Sequence, residues 1–183
     1  GLKQPIQPKK EDAAEQQQLE KELEGLYNAD QSDRKNKLFS TNKELYLQNE
    51  EKRAQRAREI YRLNQERKVV LSPLSSGYLA MIFQHRDKPE DYKVAYELAK
   101  KAAESGVQEA RWLQAATEDR YLVSIGQKQK WGTQFQKTEQ GWQYWGEIAP
   151  DEESGITDEM RAEMGVPKRS EQMAKIAEKY PQG

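Results

Sequence analysis

The chain holds a single histidine, His85, and no cysteine. Histidine is the side chain whose unperturbed pKa, about 6.5, lets it exchange a proton near neutrality, so His85 is the natural candidate for a general acid or base. Such chemistry needs a carboxylate to orient the imidazole and a cation to hold an anionic substrate. Two acid/base neighbour pairs could supply them: Asp119 with Arg120, and Asp30 with Arg34. All of these polar residues but Arg120, which follows Asp119, sit where the periodicity of their segments predicts burial. Asp30 and Arg34 continue the stripe of Leu19, Leu23, Leu26 and Tyr27, His85 extends that of Tyr78 and Met81, and Asp119 shares a row with Trp112, Ala116 and Val123. Burying a neutral polar group unpaired costs about 2–7 kcal/mol, and a charge costs more. These groups must therefore meet one another or a ligand.

The expected site has His85 as acid/base, Asp119 or Asp30 as its orienting carboxylate, and Arg120 or Arg34 as the anion clamp. Amides and a hydroxyl of the following segment, Gln129, Thr133 and Gln134, would fix the polar edges of a substrate. Gly132 would provide a bulge or a close backbone approach. The chemistry this suits is hydrolysis or a lyase-type step on a small polar or anionic molecule. The alternative function is a non-catalytic binding or protein-interaction module. In that reading Asp30–Arg34 is a helix ion pair, His85 a core residue with one hydrogen bond, and Asp119 a clamp on neighbouring backbone. The aromatic residues Trp131, Trp142, Tyr144 and Trp145 would then simply be core.

The elements that must position these residues are mostly helical. Residues 1–11, with two prolines and no apolar periodicity, read as a disordered arm; 12–183 reads as one domain. A first helix starts near Asp12 and breaks at "LFSTN", where Ser40, Thr41 or Asn42 can cap a second helix over about 43–67. Ser72–Pro73 opens a helix bearing Leu74, Tyr78, Met81, Ile82 and His85, and Pro89 opens an alanine-striped one stopped at Gly106. A further helix spans about 107–123. From Lys128 the period changes to two, which predicts a β-hairpin over about 129–146. A short helix at about 158–164 and a last one after Ser170 complete a mainly α domain of six to seven helices with one hairpin.

Bulk composition excludes several classes. Thirty basic and thirty-one acidic residues leave a net charge of −1, so no global field draws in nucleic acid or an anionic membrane. Without cysteine there are no disulfides, thiol catalysis or cysteine-ligated metals, and one histidine makes a zinc site unexpected. No cofactor is expected. No apolar run approaches the roughly 20 residues of a membrane-spanning helix. The expected partners are a small polar ligand or a protein, and oligomeric state is open. A start at Gly1, with the first methionine at Met81, points to a preceding tag remnant, signal peptide or longer segment. Absence of cysteine fits either compartment, so localisation stays open, with an exported (periplasmic or secreted) chain favoured over a cytoplasmic one.

The segments "MIFQHRDKPE", "ATEDRYLVSIGQKQKWGTQFQ" and "GITDEMRAEMGVP" resemble an uncharacterised bacterial domain family of unknown function. The resemblance runs over roughly residues 20 to 180. Its pattern of Asp-Gln-x-x-Arg, Gln-His-x-Asp, Asp-Arg and Gln-x-Tyr-Gly-Thr-Gln falls here on Asp30, Gln31 and Arg34; on Gln84, His85 and Asp87; on Asp119 and Arg120; and on Gln129, Gly132, Thr133 and Gln134. A closing Arg-x-x-x-Gly-(Leu/Val)-Pro falls on Arg161, Gly165, Val166 and Pro167. Trp131 stands where the family has tyrosine, and "LSPLSSG" where it often has a Trp-Pro segment. The resemblance implies a shared polar site and no particular reaction.

Overall fold

The computed structural model describes residues 10–181. Residues 1–9 of the expected arm lie outside that range, while Lys10 and Glu11 already belong to the first helix. In chain order the elements are α1 (Lys10–Lys35), α2 (Leu38–Thr41), α3 (Lys43–Gln65), α4 (Pro73–Gln84), α5 (Pro89–Glu104) and α6 (Glu109–Ser124). They are followed by β1 (Phe135–Thr138), β2 (Gly141–Tyr144), α7 (Asp151–Ser154), α8 (Asp158–Glu163) and α9 (Gln172–Lys179), the last preceded by a 3-10 turn at Arg169–Glu171. The seven longer helices match the expected ones in place; α2 and α7 are single turns that periodicity is too short-sighted to register. The fold is mainly α with one antiparallel hairpin.

Helix boundaries follow local chemistry. Asn42 caps α3, its Oδ1 accepting from the Leu45 N–H at 3.1 Å, so it is the third of the three candidate caps that works. Ser72 Oγ likewise accepts from Ser75 N–H at 3.1 Å, ahead of Pro73 at the first helical position. Thr157 Oγ1 accepts from Met160 N–H at 3.2 Å to start α8.

Helices α4, α5 and α6 pack side by side, with α1 and α3 across α4. Leu19, Leu23, Ile60, Leu79, Phe83, Leu98 and Leu113 form the main core, and alanines on α5 (Ala95, Ala99, Ala102) let neighbours approach closely. Between α1 and α3, ions do much of the joining: Arg53 meets Asp33 at 2.8 Å and Arg56 meets Glu22 at 2.6 Å. Two expected faces turn out differently. On α4 the expected Ile82 is buried, but so are Ser75, Ser76, Leu79, Ala80 and Phe83, because helices cover α4 on several sides; Leu74 is 52% exposed. On α6, Trp112 is 38% exposed while Ala116 and Asp119 are buried.

The hairpin is shorter than the alternation suggested. Its register pairs Phe135 with Tyr144 and Thr138 with Gly141, so the ladder begins six residues after Gln129. Residues 129–134 form an irregular loop instead. Gln129, Trp131, Gly132 and Gln134 are all buried there, and Gly132 takes φ +81°, which ends any extended run. Gln129 alone pairs in β fashion, donating its N–H to Glu147 O at 2.8 Å and accepting from Ala149 N–H at 2.8 Å.

Candidate functional site

The α4 helix stops at Gln84, which leaves His85 at its C-terminal cap facing the end of α1. Its Nδ1 lies 2.8 Å from Asp30 Oδ2. An ionised carboxylate can only accept, so Nδ1 carries the proton and donates, and Nε2 keeps its lone pair. Asp30 is 1% exposed and also faces Arg34 Nε at 3.4 Å, Arg53 Nε at 3.8 Å and the Gln31 amide at 3.2 Å. Glu50 of α3 collects the rest of the cations: Arg53 at 2.7 Å, Arg34 at 3.4 Å and Arg86 at 3.7 Å. His85 opens on a hollow of about 380 Å³ whose walls include Tyr46, Leu47, Glu50, Glu51, Arg86 and Asp87. Its side chain is 14% exposed, and Nε2 has no partner among the described residues.

Burial pushes the His85 pKa below its ordinary value, outweighing the Asp30 hydrogen bond and charge that favour the cation; Arg34 and Arg120 push in the same direction as burial. The imidazole is therefore neutral at neutral pH. Burial would raise Asp30, but the His85 hydrogen bond and the Arg34 and Arg53 charges hold its carboxyl below the usual range. The pair is an ionised carboxylate supporting a neutral base.

Arg120 reaches the same region from α6. Its Nη1 donates to the Gln84 carbonyl at 2.7 Å, one residue before His85, and its Nε donates to Gln134 Oε1 at 2.9 Å. The rings of Tyr92 and Trp145 lie 5.8 and 6.0 Å from its guanidinium carbon. No carboxylate pairs with it among the described residues, and burial lowers its pKa from the usual arginine value. Beside it the Gln84 side-chain oxygen is buried without a hydrogen-bond donor. A half-buried cation paired only with neutral acceptors is electrostatically incomplete.

Asp119, one residue away, is placed quite differently. It is fully buried, and its Oδ1 accepts the N–H groups of Lys130 (2.7 Å) and Trp131 (3.0 Å). Its Oδ2 accepts the N–H of Thr133 (3.0 Å) and the Thr133 hydroxyl (2.7 Å). Burial drives its pKa up against the pull of those four donors. Gln129 locks the same loop: its amide donates to the Gln134 and Trp145 carbonyls at 2.9 and 2.8 Å, and its Oε1 accepts the Gln134 N–H at 3.0 Å. Gln172 of α9 donates to Trp131 O at 2.8 Å and Pro167 O at 3.1 Å. Buried Arg161 clasps Asp151 at 2.6 Å and Asp158 at 2.9 Å. A Cβ on Gly132 would fall 2.1 Å from Gln172 Oε1, so the close approach at this glycine is to α9.

The expected residues thus divide. Asp30, Gln31, Arg34, Gln84 and His85 come together at the end of α4, with Arg120 touching the same turn. Asp119, Gln129, Gly132 and Thr133 assemble around the loop, and Asp119 makes no contact with His85. Gln134 connects the two groups through Arg120. Sequence reasoning did not single out Tyr46, Glu50, Arg53 and Arg86. Their only signal was Glu50–Arg53 spacing in a helix so rich in charge that a buried pair looks like a solvated one. Gln172 gave no signal at all.

Among the described residues, no cluster of three or more His, Asp or Glu side chains is arranged to hold a metal ion. No described helix is long and apolar enough to cross a membrane. Comparison with known protein families, with curated proteins and with solved structures finds no match to this chain.

Proposed function

We propose that the chain is an acid/base enzyme of hydrolase or lyase type whose working pair is His85 with Asp30, acting on a small anionic substrate. The observation that carries this reading is the 2.8 Å Nδ1–Oδ2 hydrogen bond, which fixes the tautomer and presents Nε2 as a base with no partner among the described residues. Asp30 orients the ring and stabilises the imidazolium that forms once Nε2 takes a proton. Arg34, Arg86 and Arg120 supply positive charge around the substrate's anionic group. Of these, Arg120 is the one with no carboxylate of its own to satisfy it, and Gln84 and Gln31 border the same turn. The burial of His85 keeps the free base populated at neutral pH.

A second reading applies to the other cluster. The saturation of Asp119 by four loop donors favours a fastening role for Asp119, Gln129 and Thr133, with Gln134 holding Arg120 in place. In a non-catalytic module, the His85 group would be a fastening of the same kind.

Because the chain has one histidine, the carbethoxyimidazole absorbance formed with diethyl pyrocarbonate reports on His85 alone. The reagent attacks the neutral imidazole, so the folded protein should react at Nε2 with a midpoint below pH 6.5. Phosphate, acetate or succinate should slow the reaction, less so in Arg120→Gln. A folded protein whose histidine does not react would end the acid/base reading.

A further inference from the structure

A second cavity, of about 210 Å³, lies away from His85 between the loop, the hairpin and α9. Its apolar walls are Trp112, Phe135, Pro167 and Ile176, with the Gly132–Thr133 backbone beneath and Lys175 and Lys179 of α9 at the edge. We propose that this cavity binds a small amphipathic acid: one aromatic ring or short aliphatic body bearing a single carboxylate.

The polar side chains of Gln172 and Thr133 in the wall are already engaged within the protein. Gln172 spends its amide on Trp131 O and Pro167 O and its oxygen on the Tyr144 hydroxyl at 2.6 Å, while the Thr133 hydroxyl donates to Asp119. An occupant is therefore apolar where it meets Phe135, Pro167 and Ile176. The rim is the reverse. Lys175 and Lys179 are one helical turn apart on the same face of α9, both are exposed, and neither has a carboxylate within 4.0 Å among the described residues. Two like charges one turn apart repel, and an anion between them relieves that repulsion. The Trp112 indole N–H also has no acceptor among the described residues, and Trp112 remains 38% exposed although it forms one wall. The cavity matches the liquid volume of about seven waters, which suits a single ring with a short chain and is too small for a dinucleotide or an extended lipid.

The cavity floor belongs to the loop tied down by Asp119, so it is preformed and needs little ordering to accept a ligand. This site is independent of His85, and its test does not rest on the acid/base reading.

The test is a titration with 4-phenylbutyrate and its neutral amide, 4-phenylbutanamide, followed by NMR of the Trp112 indole and the Ile176 methyl groups. Saturable shifts at both residues are expected, with the carboxylate binding about five- to tenfold tighter than the amide, the size of effect that two partly exposed charge pairs give. That preference should vanish in the double variant Lys175→Gln/Lys179→Gln, whose substitutions lie at the exposed edge and leave the apolar walls unchanged. Equal affinity for acid and amide, a preference that survives in the double variant, shifts confined to other tryptophans, or no saturable shift at millimolar ligand would each overturn the proposal.

Discussion

The molecule builds two polar clusters from similar residues and leaves them in opposite states. Around the 129–134 loop, Asp119, Gln129 and Gln172 have their hydrogen-bonding atoms met by protein partners, mostly backbone. At the end of α4, among the described residues, His85 Nε2 has no partner, Arg120 has no carboxylate, and the Gln84 oxygen is buried without a donor. A saturated network rigidifies; an unsaturated one stores interaction energy that a ligand can release. The contrast teaches that a buried polar residue marks a functional site only when its bonding capacity is left over, whatever its residue type. Gln134 joins the two: the loop fixes its backbone, and its side chain holds Arg120.

Substitutions should split along that line, and the largest effect is expected at Asp119. Asp119→Ala strands four donors in the interior and should lower the unfolding free energy by about 3–5 kcal/mol, read from urea denaturation. A loss below 1 kcal/mol would mean the loop does not depend on this carboxylate. Gly132→Ala comes next, at about 2–4 kcal/mol, because its φ of +81° disfavours a side chain and the Cβ collides with Gln172. At the open cluster the effects should be smaller. His85→Gln removes one hydrogen bond while Asp30 keeps Arg34 and Arg53, so about 1 kcal/mol is expected.

The same variant should change the pH dependence. The folded pKa of His85 lies below its ordinary 6.5, so in the window between the two the unfolded chain binds a proton that the native chain does not. Stability therefore rises with pH through that window and falls as pH drops through it. Urea midpoints should lose that slope in His85→Gln. The smallest stability effect is expected for Arg34→Gln, below about 1 kcal/mol because its side chain is 34% exposed. Oxyanion protection of His85 should nonetheless weaken measurably.

Much of the fold was legible because helices announce themselves by period and punctuation: Ser72–Pro73, Pro89 and Gly106 each fall at or beside the boundary they predicted. The loop was misread as a strand because Gln129, Trp131 and Thr133 alternate as a strand would, while the partner that shapes them is a carboxylate on α6. Nothing local encodes such a long-range bond. The polar positions on apolar stripes were legible for the same reason as the helices, and Asp30 and Asp119 are indeed buried. Which carboxylate reaches His85 was not legible: both Asp30 and Asp119 fit the pattern, and only the crossing of α1 over α4 decides for Asp30. Glu50 and Arg53 were hidden by composition, since a helix with charges on most faces gives no periodic sign of which one turns inward.

The contrast between a closed cluster and an open one is tested most directly by long-range proton–nitrogen NMR of the single imidazole at neutral pH. An open acid/base pair requires a protonated Nδ1 and an unprotonated Nε2 whose signal moves when phosphate, acetate or succinate is added. A protonated Nε2, or a ring whose nitrogens none of these anions perturbs, would place His85 with the fastened residues and contradict the proposed function.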